Sequence, residues 1–249
     1  MTDLLLISTV TGLTTVVGAV IMLFSGKPGR KLLAFYLGLS AGIMTLVIFI
    51  DLLPASLRDG DVYGTFLGSA IGAVFLMAVH LIVVKVSREK RWAPPDEANP
   101  GDEEWRRAGW LMAIALAFHH IPEGTAIGAG FHTHRHVGIL IALSMSLHNI
   151  PEGIGLAAPL LMSGMGRWRI LRLSFLISLC IPAGALIGEW YLTSTPQAIT
   201  FGMAFAAGSM GYIVWKEIAP SGLRMHTLSA QAGMLASLLA MFLLHHVVP

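Results

Sequence analysis

An all-α integral membrane protein of about eight transmembrane helices is the architecture this sequence predicts, and three observations predict it. Of its 249 residues, 55% are hydrophobic and only 12% are charged, with a mean hydropathy of +0.73. An ordinary soluble domain carries roughly 25% charged residues. Eight runs reach the length of about 20 apolar residues that a bilayer core demands: 4–24, 32–53, 64–85, 108–130, 137–162, 170–193, 198–218 and 229–248. The breaks between them carry turn chemistry, as in "SGKPGRK" after the first run and "TSTPQ" before the seventh.

The first run lacks a positively charged start and a cleavage site, so it reads as a span rather than a removable signal. Between the third and fourth runs lies the one long polar segment, 86–107. Its prolines and charges predict a flexible connection without a core of its own. The whole chain, 1–249, is therefore expected to form a single transmembrane domain. Lys27, Arg30, Lys31, Lys85, Arg88, Lys90, Arg91, Arg106, Arg107, Arg167, Arg169, Arg172, Lys216 and Arg224 flank the odd-numbered connections, whereas the even-numbered ones hold only Arg58 and Arg135. Cytoplasmic loops are enriched in lysine and arginine. The connection at 86–107 is thus predicted to be cytoplasmic and both termini non-cytoplasmic. Trp92, Trp105, Trp110, Trp168, Trp190 and Trp215 all fall near predicted span ends, where indoles favour the interface. A lone cysteine, Cys180, excludes an intrachain disulfide and any cysteine-rich metal cluster.

Two internal repeats organise the spans. "FYLGLSAGIMTLVIFIDLLP" (35–54) matches "FGMAFAAGSMGYIVWKEIAP" (201–220) at an offset of 166, pairing Phe35 with Phe201, Gly42 with Gly208, Met44 with Met210, Asp51 with Glu217 and Pro54 with Pro220. "HHIPEG" (119–124) matches "HNIPEG" (148–153) at an offset of 29. On the predicted topology each matched pair runs in opposite directions. The expectation is an inverted repeat of spans 1–3 and 6–8 around spans 4–5, a plan that secondary transporters use to surround a midplane site.

His119 and Glu123 are four residues apart on one helix and share a face, and His148 and Glu152 repeat that spacing. All four fall in mid-span, where a charged side chain costs roughly 2.5–3.5 kcal/mol by insertion scales. The interiors of spans 4 and 5 hold no lysine or arginine to compensate. Two glutamates with two neutral imidazoles match one divalent cation. Mixed nitrogen and oxygen donors suit zinc, iron(II) or manganese better than magnesium or calcium. The plainer alternative, histidines bonded to their own glutamates, leaves the carboxylates without a counter-charge. Pro122 and Pro151 give no hydrogen bond to the carbonyls of Phe118 and Leu147, so a distorted turn is expected beside each set. Gly124 and Gly153 permit close helix approach.

Asp51, near the outer end of span 2, and Glu217, near the inner end of span 7, read equally as acids on a metal path or as interfacial charges. His132, His134 and His136 read as a solvated turn. His80, His226, His245 and His246 lack acids at helical spacing and read as structural or exposed.

These motifs resemble the ZIP (zinc- and iron-regulated) family of metal-ion transporters, and the resemblance covers the whole chain. "HNIPEG" and "HHIPEG" are similar to its span 5 and span 4 signatures; "SAGIM" with "DLLP" and "AAGSM" with "KEIAP" resemble its span 2 and span 7 segments. The resemblance implies divalent metal uptake towards the cytoplasm through a two-metal site at midplane. It assigns His119, Glu123, His148 and Glu152 to the first site, and His120, Asn149 and the shared glutamates to the second. The chain departs from the family pattern at His120, where asparagine is common. It departs again at Ile181, where span 6 often supplies a glutamate before a proline, so the second site lacks a carboxylate. The connection at 86–107 has no histidine, unlike many relatives.

The expected function is transport of a divalent transition metal, zinc foremost with iron, manganese or cadmium open, by alternating access. The expected location is a bacterial inner membrane. Lipid bilayer and metal ions are the expected partners, with a homodimer left open, no nucleic acid and no organic cofactor. Three other readings compete. A cation-diffusion exporter also uses acid and histidine pairs four apart on membrane helices, but that resemblance would imply about six spans and a cytoplasmic C-terminal domain. An intramembrane metallohydrolase would need a nucleophile or base that the motifs do not supply. A non-transporting receptor would bind metal without flux.

Overall fold

The computed structural model describes residues 2–26, 29–59, 62–89, 100–191 and 196–247. Every element among them is helical. They are α1 (Thr2–Ser25), α2 (Arg30–Leu46), α3 (Leu53–Asp59), α4 (Val62–Glu89), α5 (Pro100–Thr133), α6 (Arg135–Met162), α7 (Arg167–Ser178), α8 (Cys180–Tyr191), α9 (Pro196–Ile213) and α10 (Ala219–Val247). Among the described residues, six stretches are long and apolar enough to cross a membrane: Thr2–Ser25, Arg30–Arg58, Val62–Ile82, Arg135–Met162, Arg167–Trp190 and Thr200–His246. Helix α5 falls outside that set; it carries HHIPEG and a charged first section.

The last stretch is two helices. His226 has extended backbone angles inside α10, and its Nδ1 accepts a hydrogen bond from the Ser229 amide at 3.2 Å, capping the helix that follows. A β-carbon placed on Gly222 would lie 3.4 Å from that of Ala230. Eight residues along a straight helix span about 12 Å, so the chain folds back at His226.

Two wide turns, Val47–Leu52 and Val214–Ile218, interrupt the second and seventh predicted spans. In each the next amide reaches back five residues, Leu53 to the Ile48 carbonyl and Ala219 to that of Val214. Pro54 and Pro220 follow by one residue and cannot continue the four-residue ladder. Asp51 and Glu217 both sit in these turns. At Pro122 and Pro151, where distortion was expected, α5 and α6 stay helical.

Helices α4 and α5 extend further into the polar segment than hydropathy predicts, to Glu89 and from Pro100. Glutamate, lysine and arginine are good helix formers and carry a helix past the apolar window. The rest of the predicted connection, 90–99, lies outside the described residues.

The packing is layered. α5 and α6 lie against each other at the centre, and residues 122–130 and 151–160 are buried on every face. α1 flanks α6, and α8 flanks α5. Outside these, α2 packs on α10 and α4 on α9. The outer helices turn Phe66, Leu67, Val74, Leu81, Leu235, Leu239 and Phe242 outward. An apolar exterior around a polar centre is the expected burial pattern when lipid is the solvent.

Candidate metal centre

At the centre of the α5–α6 contact, His119, His120, Glu123, His148, Asn149 and Glu152 are all essentially inaccessible to solvent. One ligand atom from each of His119, Glu123, His148 and Glu152 lies within 4.8 Å of the others. Glu123 Oε1 is 3.0 Å from His119 Nε2 and 2.7 Å from His148 Nε2. Glu123 thus keeps His119 of its own helix and also takes His148 of α6, bridging the two helices. Glu152 Oε1 is 3.6 Å from His119 Nε2. His120 Nε2 stands 3.8 Å from Glu123 Oε2 and 3.7 Å from Glu152 Oε2. A tetrahedral ion with ligands about 2.1 Å away holds those ligands roughly 3.4 Å apart, and these separations bracket that figure.

The hydrogen-bond pattern favours a cation over a self-satisfied polar cluster. His148 Nδ1 donates to the Ser144 carbonyl at 3.3 Å, and His120 Nδ1 to the Ile177 carbonyl at 3.2 Å. The bond on His120 leaves a lone pair on its Nε2, whereas His148 Nε2 also lies at hydrogen-bond distance, 2.7 Å, from Glu123 Oε1. Metal-ligating histidines are commonly held in this way by a carbonyl on the other nitrogen. Asn149 Nδ2 donates to the Thr11 carbonyl at 3.1 Å. Against that, His119 Nδ1 and Nε2, His120 Nε2, Glu123 Oε2, Asn149 Oδ1 and both Glu152 oxygens are buried without a hydrogen bond. Most buried polar atoms are paired. Seven in one cluster without a well-formed hydrogen bond, the histidine Nε2 and glutamate oxygens among them held only in His–Glu contacts of 3.0–3.8 Å, form a donor set whose natural complement is a divalent cation.

Both helices are held by the same backbone contacts. A methyl on Gly153 would collide with the Thr15 carbonyl and come 3.0 Å from the Ala19 amide. A methyl on Gly124 would collide with the Ile181 carbonyl and come 2.7 Å from the Ala185 amide. Ile181 is fully buried beside the site, with no acid in its place.

Residues 85–245 match the family described as ZIP Zinc transporter. The chain belongs to the ZIP zinc transporter family. Among curated relatives, a zinc transporter ZupT of Chlorobium luteolum is 36% identical over 233 residues, covering 87% of this chain and 86% of that protein. A ZupT of Corynebacterium efficiens is 34% identical, covering 87% of each. One of Akkermansia muciniphila is 32% identical, covering 95% of this chain and 94% of its own length. As a ZIP protein the chain is a multi-pass membrane transporter of divalent metal ions and not an enzyme.

The ends of the bundle hold partners that spacing along one helix does not reveal. His245 Nε2 is 3.0 Å from Asp51 Oδ1, and the Ser144 hydroxyl donates to Asp51 Oδ2 at 3.4 Å. His80 Nε2 is 3.3 Å from Glu217 Oε1. His80 and His245 lack acids at helical spacing along their own helices and take theirs from neighbouring elements. The repeat offset held a clue: His80 plus 166 falls on residue 246, next to His245. Asp51 and Glu217 do not join the central cluster. His132, His134 and His136 are exposed at the α5–α6 junction, as a solvated turn requires.

Proposed function

We propose that this ZIP protein carries zinc into the cytoplasm by alternating access, through a midplane site made by His119, Glu123, His148 and Glu152. The seven polar atoms buried between α5 and α6 without a well-formed hydrogen bond carry the reading. One divalent ion offsets the charge of both carboxylates, and neutral imidazoles complete its shell without adding charge. His120 and Asn149, with the shared glutamates, form the weaker second position. Asp51 with His245 serves as the loading end, linked to the site through Ser144, which contacts both Asp51 and His148. Glu217 with His80 serves as the release end.

Eight crossings in an inverted repeat, with both termini non-cytoplasmic, fit this reading. The fold-back at His226 supports separate seventh and eighth crossings, and several contacts recur at the two repeat offsets. Gly18 meets Ile150 and Gly153, while Gly184 meets Ile121 and Gly124. Thr11 O takes the Asn149 amide, while Ile177 O takes His120. In each case the partners differ by 166 on the outer helix and 29 on the inner one. A single transmembrane domain in a bacterial inner membrane is the corresponding setting.

Zinc uptake into proteoliposomes, with iron, manganese and cadmium as competitors, tests the reading. Uptake should be saturable and fall to background in Glu123→Ala and Glu152→Ala. Both variants should stay folded, because losing a buried carboxylate also removes a desolvation cost. Full uptake in either variant would sink the site, and binding without uptake in the unmodified protein would make it a receptor.

A further inference from the structure

Away from the metal path, an open cleft of about 620 Å³ lies between the first part of α5, the 163–165 turn and α7. Arg106 and Trp110 line it from α5, and Arg169, Arg172, Leu173 and Leu176 from α7. The α7 residues stand at i, i+3, i+4 and i+7, so they form one stripe on the helix. Both lining helices change character in the same order, arginine nearer the helix start and apolar or aromatic side chains further along.

The charge on the α7 side of the cleft has no acid on its own helix. None of the three arginines is paired with a carboxylate among the described residues; the Arg172 Nε donates to the Trp168 carbonyl at 3.4 Å, leaving its terminal nitrogens uncommitted. Between Glu152 and Glu189 the sequence holds no acid at all. On α5, Asp102 and Glu103 precede Arg106 by four and three residues, so Arg169 and Arg172 are the arginines without an acid in reach along their own helix.

We propose that this cleft binds one anionic phospholipid. Its phosphate lies among Arg106, Arg169 and Arg172, and its acyl chains lie over Trp110, Leu173 and Leu176. Basic pockets between transmembrane helices are suited to such headgroups, and arginine pairs with phosphate in a two-point fork. The order of charge and then apolar surface on both walls follows a lipid rather than a free anion. A soluble phosphate would gain nothing from the leucines. Occupancy would brace the start of α7 against α5, and α7 carries the Ile177 carbonyl that anchors His120.

The test is thermal unfolding of the full-length protein in detergent, with added phosphatidylglycerol, phosphatidylcholine or glycerol 3-phosphate. Phosphatidylglycerol should raise Tm saturably; the other two should not. The Arg169→Gln/Arg172→Gln protein should bind phosphatidylglycerol about 30-fold more weakly, from the loss of two charges near the headgroup plane. Arg169→Lys/Arg172→Lys should recover most of that loss. Native mass spectrometry of the unmodified protein in a mixture of both lipids gives a readout independent of the variants: one phosphatidylglycerol should be retained preferentially. Equal effects of the two lipids, or an unchanged affinity in the glutamine variant, would overturn the proposal. A shift with glycerol 3-phosphate alone would reassign the cleft to a soluble anion.

Discussion

Where α1 meets α6, Gly153 lies on the Thr15 carbonyl and the Ala19 amide; where α8 meets α5, Gly124 lies on the Ile181 carbonyl and the Ala185 amide. The backbone contacts agree position by position, yet the side chains they present differ. Thr15 brings a buried hydroxyl where Ile181 brings a hydrocarbon. Asn149 offers an amide oxygen where His120 offers a ring nitrogen. Ser144 links the centre to Asp51, whereas Ala115 stands 29 residues earlier on α5. The acids at the two ends differ too: the Asp51 side chain is 8% exposed and that of Glu217 is 41% exposed. Packing tolerates little change at a backbone contact, so the frame is shared. Donor atoms are free to diverge, and their divergence gives the two faces of the site unequal chemistry.

The frame is the place to break this comparison most severely. Gly124→Ala and Gly153→Ala should each destabilise the protein by about 1–3 kcal/mol, because the methyl meets a carbonyl that belongs to a helix and cannot yield as a side chain can. Thermal unfolding should show matching losses at both positions. A loss at one alone would mean that the two contacts are not equivalent in solution.

Adding an acid to the α8 side comes next. Two divalent ions sharing only Glu123 and Glu152 leave about +2 uncompensated at membrane depth, which is unfavourable. The unmodified protein should therefore hold one ion firmly and a second weakly. Ile181→Glu should tighten the second at least tenfold and slow metal release. Metal titration of the purified protein decides the point, and two equally tight sites without the substitution would show the charge argument wrong.

Making the inner helices alike is a milder change. In His120→Asn, the amide can keep the Ile177 carbonyl as its anchor, as Asn149 does with Thr11. Affinity for the second ion should drop by about tenfold while the first is held as before. Loss of the first ion in this variant would mean that His120 belongs to the primary site.

The smallest effect is expected at the Asp51 end. Ser144→Ala removes the hydroxyl that reaches Asp51 but keeps the carbonyl that holds His148. Zinc uptake should slow by a few-fold with binding affinity unchanged. Ala115→Ser should change neither. A loss of affinity in Ser144→Ala would place that hydroxyl within the site instead of on the path to it.

Much of this was legible in the chain. Apolar runs, their breaks and the doubled His-x3-Glu set located the apolar parts of the helices and picked out the central cluster, because both depend on patterns along one helix, while the polar extension of α5 back to Pro100 went unread. The limits appeared wherever a partner comes from another helix. Glu123 was expected to serve His119 and also takes His148 across the interface. Thr11 and Ile177 contribute only carbonyls, and a backbone atom leaves no mark in residue identity.

Composition and spacing by themselves determined that this chain lives in lipid, that its polar residues gather in mid-span on two adjacent helices, and that their donor types suit a divalent transition metal. Those properties are written in residue type and in the helical repeat. Only the tertiary structure decided which donor atoms face one another across the α5–α6 contact, which carbonyls orient the imidazoles, and that Asp51 and Glu217 take His245 and His80 as companions. Such choices depend on how helices far apart in sequence dock against one another, and that docking is set by close backbone contacts at glycine rather than by any local pattern.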